Sequence, residues 1–311
     1  ILSDSGAALL TLCVFILLNF DTLQTWHIYL LSAIGAVFAA FQEPAYMASI
    51  AMLVPKKELA RANGMVQMGQ ALESIIIPVL AGILFVAVGL RGIVLIDFVT
   101  FFAAIGALMA VRIPQPEIEK AEEGKKGMVL RDFSFGWRYL AERSGLLGLM
   151  LYYAMVNFFL NLASVLSGPM VLSNHPASVL GLVQMATGSG MLAGGIVLST
   201  WGGPKKRRIP VVIGLIAVSS LGLIIAGLGT HPAFFMAGYF VLLFFIPIAS
   251  GTSQAVFQTK VAPEAQGRVF AVRAMISRSI MPIAFLSAGP LADVIFEPLM
   301  LPGGVLAESL V

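Results

Sequence analysis

Nine stretches of about 20 apolar residues follow one another along the 311-residue chain, and they constrain its fold more than any other feature. A helix needs about 20 such residues to cross the hydrocarbon core of a bilayer. Only 11% of the residues are charged, against roughly 25% in an ordinary soluble domain. We therefore predict an all-α, polytopic membrane protein. The predicted spans cover residues 5–20, 28–53, 62–88, 92–111, 146–171, 177–200, 209–229, 232–258 and 266–291.

The lysine and arginine residues are concentrated in alternate loops. The loops after the second, fourth, sixth and eighth spans are basic, whereas those after the first, fifth and seventh carry no basic residue. The loop after the third span carries only Arg91. Because basic loops stay in the cytoplasm, we predict that the first span begins inside and the ninth ends outside.

Two helical hairpins with short basic turns occur in related positions, at 41–82 and 248–289. Arg61 lies 21 residues before Gly82, and Arg268 lies 21 residues before Gly289. The two hairpins are therefore offset by 207 residues, about half the length of a large membrane protein. An internal repeat of helix bundles around a central path is typical of secondary transporters.

Four sequence patterns resemble the major facilitator superfamily, and within it the branch of macrolide-efflux permeases and related drug and siderophore exporters. They are EPAYMASIAMLVPKKELARANGM at 43–65, VRIPQP at 111–116, GGIVLSTWGGPKKRR at 194–208 and VAPEAQGRVFAVRAMISRSIMPIAFLSAGPLAD at 261–293. Their order and spacing extend over nearly the whole chain. The resemblance places the protein in a bacterial inner (plasma) membrane.

The resemblance implies a two-bundle fold of twelve helices. The nine predicted spans match the family's third to eleventh helices, so the sequence is expected to be a fragment that lacks the first two and the last. The implied division is an N-terminal half at 1–112, a cytoplasmic connector at 113–145 and a C-terminal half at 146–311. Pro78 and Gly82 match part of the exporter motif in the family's fifth helix.

The connector contains one amphipathic segment. Val129, Phe133, Trp137 and Leu140 recur at helical spacing, opposite charged residues. This pattern predicts either a helix that lies on the membrane surface or one that packs against the floor of the bundle.

Four of the charged residues inside predicted spans are candidates for the functional site, because charge is costly there and functional sites are expected. Glu43 and Glu73 lie at similar depth on neighbouring helices, and two carboxylates that meet there would favour one bound proton. Arg273 and Arg278 are the obvious partners. We hypothesise that one such pair closes the inner side and opens on protonation or substrate binding. A static salt bridge is the alternative.

Polar side chains also recur at helical spacing on three spans that line the cavity in the resembled family. Interhelical packing without substrate contact is the alternative interpretation. The stripes comprise Gln42 and Tyr46 on the second span, Tyr153, Asn157 and Asn161 on the fifth, and Ser250, Gln254 and Gln258 on the eighth. Arg61 and Arg268 occupy equivalent hairpin positions, where they either cap the closed gate or follow the charge bias of the loops.

No nucleophile–base pair, phosphate loop or metal-ligand spacing is found in the sequence, so no enzyme activity and no cofactor are predicted. The expected function is export of small amphiphilic compounds of the macrolide or multidrug type by proton antiport with alternating access. A siderophore or lysophospholipid exporter, or a membrane scaffold without transport, is the alternative. We expect a monomer whose partners are the lipid bilayer, the substrate and protons, and not nucleic acid.

Overall fold

The computed structural model describes residues 2–110, 128–229 and 231–300. These residues form helices and short loops, and no strand occurs among them. The helices are α1 (Leu2–Asn19), α2 (Thr25–Leu53), α3 (Leu59–Ala110), α4 (Met128–Ala141), α5 (Ser144–Leu172), α6 (Ala177–Trp201), α7 (Arg208–Leu228), α8 (Pro232–Lys260) and α9 (Pro263–Gly289). A π-helical turn at Pro290–Phe296 leads into the short α10 (Glu297–Met300).

The predicted spans agree with these helices, except that the third and fourth belong to the single long helix α3. The break between them is confined to Gly89, which has a φ of 66° and a ψ of 179°. Glycine suits this position because its lack of a Cβ permits positive φ. Near the break, Arg91 pairs with Asp21 at 3.1 Å and donates to the Leu18 carbonyl at 3.1 Å. The break in α3 therefore lies beside the loop between α1 and α2.

Within the described residues, seven helical segments are long and apolar enough to cross a membrane. They are Thr25–Leu53, Leu80–Gly106, Ser144–Leu172, Ser178–Trp201, Arg208–Leu228, Pro232–Lys260 and Pro263–Leu299. The apolar part of α1 is shorter, at Ala8–Asn19. The first half of α3 carries Asn63, Gln67, Gln70 and Glu73, and these polar residues lower its hydropathy. The all-α, polytopic membrane fold is confirmed.

The largest core cluster lies at one end of helices α5, α7, α8 and α9, and it also includes Leu140 of α4. Phe257 and Val269 are fully buried in it. On another side of α8, α6 approaches so closely that a Cβ at Gly194 would overlap the Phe244 carbonyl oxygen. A Cβ at Gly195 would lie 2.8 Å from the Met68 nitrogen of α3. Small residues allow such close helix packing in membranes.

The connector helix α4 packs against the first turns of α9. A Cβ at Gly136 would lie 2.8 Å from the Arg268 carbonyl oxygen, and the Ala262 amide donates to the Tyr139 hydroxyl at 3.1 Å. Leu140 is fully buried, whereas Trp137 is 40% exposed. Of the two predicted arrangements, this geometry corresponds to the helix that packs on the bundle. The side chain of Val129 lies outside the described part of the structure.

Candidate functional site: a polar cavity between the two hairpins

A cavity of about 330 Å³ lies between the α2–α3 hairpin and the α8–α9 hairpin. Its walls combine charged groups, amides and hydroxyls with a few apolar side chains. The lining residues are Glu43, Pro44, Met47, Asn63, Val66, Gln67 and Gln70 on the first hairpin, and Ser250, Gln254, Phe270, Arg273, Ala274, Ser277 and Arg278 on the second. Five of the predicted site residues thus line one cavity: Glu43, Ser250, Gln254, Arg273 and Arg278.

The two walls of the cavity are built from repeat-related positions. Six of the seven residues on the first wall have a counterpart 207 residues later that lines the second wall. The pairs are Glu43 with Ser250, Met47 with Gln254, Asn63 with Phe270, Val66 with Arg273, Gln67 with Ala274, and Gln70 with Ser277. Equivalent backbone positions therefore face each other with different chemistry.

An ion pair joins the two walls. Arg278 donates from Nη2 to Oε2 of Glu43, and both side chains are about half exposed, at 48% each. Of the four pairings predicted from the sequence, this one is present. It connects α2 to α9, so separating the hairpins at this level requires breaking it.

The second cation of the cavity, Arg273, is held by groups of the C-terminal half. Its Nη1 donates to Oε1 of Gln254, and its guanidinium carbon lies 4.4 Å from the ring centroid of Phe257 and 5.8 Å from that of Tyr153. It also interacts electrostatically with Glu43. Tyr153 was predicted to line the cavity, but its ring contacts Arg273 and it is not among the lining residues.

The hydroxyl of Ser253 lies near the hydroxyl of Tyr153. Neither group forms a well-aligned hydrogen bond to another described residue, although both are buried. Buried hydroxyls are normally paired, so these two, on α5 and α8, are exceptions next to Arg273.

Below the cavity, three buried amides connect four helices. Asn63 Nδ2 donates to Gln258 Oε1 at 2.7 Å, and Gln258 Nε2 donates to the Met47 carbonyl at 2.9 Å. Gln266 Nε2 donates to the Gln258 carbonyl at 3.0 Å. We call this set the amide clamp. Gln258 was predicted to line the substrate cavity, but in this structure it is 2% exposed and lies outside the cavity lining, because α2 and α3 cover it.

Other predicted cavity residues lie elsewhere. Gln42 and Tyr46 are exposed on α2 and do not line the cavity. Asn157 and Asn161 are half-buried on α5 and also lie outside it. Asn161 donates to the Asn157 carbonyl of its own helix at 2.7 Å, which is a local hydrogen bond within α5.

Glu73 does not share the site of Glu43, contrary to the prediction from their similar depth. It is exposed, lies outside the cavity lining, and forms no ion pair among the described residues. Depth along a helix did not determine direction around it, and only Glu43 faces the second hairpin.

The hairpin residues differ in their surroundings. Arg61 pairs with Glu58 at 3.1 Å and lies over Gly202, whereas Arg268 pairs with Asp132 of α4 at 3.1 Å. Gly82 faces open space, and the side chain of Pro78 lies outside the described part of the structure. The two arginines are thus equivalent in sequence but contact different elements.

The sequence interpretation missed Asn63, Gln67 and Gln70 on the first wall. Their spacing of four and three residues is a polar stripe on a spanning helix, the same signal that identified Gln254. The repeat also points to residues of the first wall, because the positions 207 residues before Ser250 and Gln254 are Glu43 and Met47.

Comparison with known proteins identifies the family. The family model described as Major Facilitator Superfamily matches residues 5–285. The chain belongs to this superfamily. The superfamily assignment agrees with the paired hairpins and the polar cavity between them.

Among curated members, the chain is similar to Macrolide efflux protein A of Streptococcus pyogenes, with 28% identity over 276 residues. That match covers 87% of this chain and 67% of the Streptococcus protein. Macrolide efflux protein A of Enterococcus faecalis is 28% identical over 266 residues, which cover 84% of this chain and 81% of that protein. The protein is thus a membrane transporter of a superfamily whose members are generally not enzymes, and its named relatives are bacterial efflux proteins.

Proposed function

We propose that the protein exports small amphiphilic compounds of the macrolide or multidrug type from a bacterial cell by proton antiport with alternating access. The observation that carries the proposal is the ion pair between Glu43 and Arg278, which joins the two repeat-related walls of a polar cavity. The efflux activity in the names of the relatives supports the same class of substrate. In this proposal the basic loops face the cytoplasm.

The ion pair is the proposed gate. A proton on Glu43 removes its charge and frees Arg278, and a substrate that binds either member of the pair has the same effect. Because proton and substrate act on the same pair, one is loaded as the other leaves. The cavity walls then separate on alternate sides of the membrane, as in other transporters built from repeated bundles.

The cavity fits an amphiphilic substrate in its composition. Met47, Val66 and Phe270 offer apolar surface, and the amides of Gln67 and Gln70 offer donors and acceptors. Binding sites for small molecules commonly combine apolar walls with a few placed polar groups.

The test uses the full-length protein in a bacterium that lacks its own efflux pumps. Accumulation of a macrolide, a siderophore and a cationic dye is followed with and without a protonophore. We expect the wild type to lower accumulation of the macrolide or the dye, and both protonophore and Glu43→Gln to abolish the effect. Glu73→Gln is the matched control, because this carboxylate lies outside the cavity, and it should leave transport unchanged within about twofold.

Unchanged accumulation of all three compounds in a well-expressed wild-type protein would refute drug export. Export that persists with the protonophore would refute proton coupling while leaving the substrate class intact. Equal losses of transport with Glu43→Gln and Glu73→Gln would refute the assignment of proton coupling to Glu43 on the basis of its place in the cavity.

A further inference from the structure

The side of α4 that faces away from the bundle carries arginines and aromatic rings that do not line the cavity. Arg131, Ser134, Phe135, Arg138, Tyr139 and Glu142 line a groove of about 290 Å³ along this helix. They recur at three- and four-residue intervals and so form one stripe. We call this stripe the arginine face. Gly136 and Leu140, through which α4 packs on the bundle, lie on another side of the helix, and Tyr139 at the edge of the face also accepts from the Ala262 amide.

Two further arginines surround the aromatic rings of this face. The guanidinium carbon of Arg143 lies 3.7 Å from the ring centroid of Tyr139, and that of Arg268 lies 4.8 Å from the ring centroid of Phe135. Stacked guanidinium groups keep donors free for other partners. The rings therefore hold these two cations in place.

The carboxylates nearby do not balance the charge. Asp132 pairs with Arg268 at 3.1 Å, and Glu142 lies 3.9 Å from Arg143. Arg131 and Arg138 form no ion pair among the described residues. The four arginines thus exceed the two carboxylates by two positive charges.

The position of α4 places this face at the membrane boundary. The helix ends at Ala141, and the spanning helix α5 begins three residues later at Ser144. The exposed rings of Phe135 and Trp137, each 40% exposed, suit the interfacial zone, where aromatic residues are enriched. A spanning helix leaves the hydrocarbon core through the headgroup layer, so lipid headgroups can reach this face.

We propose that the arginine face binds the phosphate of an anionic membrane phospholipid. Arg131 and Arg138 are two helical turns apart, or about 10 Å at 1.5 Å per residue, so their side chains can reach one phosphate group above Ser134. Arginine suits phosphate because its planar donors match two oxygens at once. This inference does not depend on the transport activity proposed above.

The test reads lipid contact through Trp137 in the full-length protein, with Trp26→Phe and Trp201→Phe removing the other two tryptophans of this sequence. The protein is placed in lipid nanodiscs that contain brominated phosphatidylglycerol or brominated phosphatidylcholine, and quenching of fluorescence is measured. Each basic residue near an anionic surface strengthens binding about fivefold. Arg131→Gln with Arg138→Gln should therefore lower the preference for phosphatidylglycerol by roughly 25-fold.

The matched control removes the same charge from another basic loop. Lys205→Gln with Lys206→Gln should keep the preference, and Arg131→Lys with Arg138→Lys should lose part of it, because an ammonium group cannot match two phosphate oxygens at once. The lysine variant also tests the proposal if the glutamine variant does not fold. An equal loss in the Lys205/Lys206 control would overturn the proposal, because net charge alone would then explain the preference.

Free phosphate is the competing source of the same chemistry. Inorganic phosphate should leave the lipid preference no lower than chloride at equal ionic strength does. If phosphate alone abolishes the preference, the face is a site for soluble phosphate and the lipid assignment is wrong. Equal quenching by the two lipids in the wild type would likewise overturn it.

Discussion

The two walls of the cavity are related by the internal repeat but differ in charge. The first wall carries Glu43 as its only charged lining residue in the described part of the chain, and the second carries Arg273 and Arg278. Where the second wall has Arg273, the first has Val66. The repeat thus gives the two walls corresponding lining positions but different charges.

In the proposed mechanism, this difference serves both movement and specificity. Symmetric walls can separate in either direction with similar packing changes, as alternating access requires. Asymmetric charges make one pair of positions the point at which the walls attract each other. The ion pair between Glu43 and Arg278 then forms across the boundary between the two hairpins.

The largest expected effect comes from exchanging the charges between the walls. Glu43→Arg or Arg278→Glu alone should lower transport at least about 30-fold, because two like charges then face each other, which costs on the order of 2 kcal/mol for half-exposed groups, between the values in water and at a protein surface. The double variant should recover a large part of the activity. Transport of a labelled substrate into everted vesicles is the measurement, and no recovery in the double variant would contradict the cross-wall pairing.

Moving the second cation to the opposite wall sharpens the comparison. Arg273→Val should lower transport about tenfold, since a hydrogen bond to a charged group is lost and Gln254 is left without its partner. Adding Val66→Arg with Met47→Gln rebuilds the same pair at the repeat-related positions and should restore part of the activity. If it does not, the walls are equivalent in position only.

The smallest expected effect concerns the amide clamp, which joins the walls without charge. Asn63→Leu should lower the free energy of unfolding by about 1–2 kcal/mol, because the side-chain Oε1 of Gln258 loses its donor. Asn63→Leu with Gln258→Leu should lose less than the sum of the single variants. Thermal unfolding of the purified protein measures both.

Asn161→Leu serves as the matched control for the clamp. Its amide donates only to a carbonyl of its own helix, so the loss should stay within about 0.5 kcal/mol. Additive losses at Asn63 and Gln258 would show that the clamp does not couple the two hairpins.

Much of the fold followed from the sequence because apolar length and loop charge are local signals. The ends of α2, α6 and α8 were predicted to within a few residues. The join of the third and fourth spans was not, since it depends on the single backbone conformation of Gly89. The choice between two arrangements of α4 required knowing how closely Gly136 approaches α9.

The site was predicted less completely because helical spacing fixes a face but not its neighbour. Gln254 and Gln258 belong to one stripe, yet only Gln254 reaches the cavity, since α2 and α3 cover Gln258. Glu43 and Glu73 likewise have similar depth but different directions. Distinguishing such residues requires the packing of other helices, which one stripe of sequence does not contain.

The amide clamp consists of Asn63, Gln258 and Gln266, none of which gains or loses a proton in water at ordinary pH. The strength of the contact that holds the hairpins together below the cavity is therefore the same in acidic and alkaline surroundings. In the proposed mechanism the proton therefore acts on the ion pair between Glu43 and Arg278 and not on the clamp. Asn63 belongs to both the clamp and the cavity wall, so it links this pH-independent contact to the site of the proposed proton exchange.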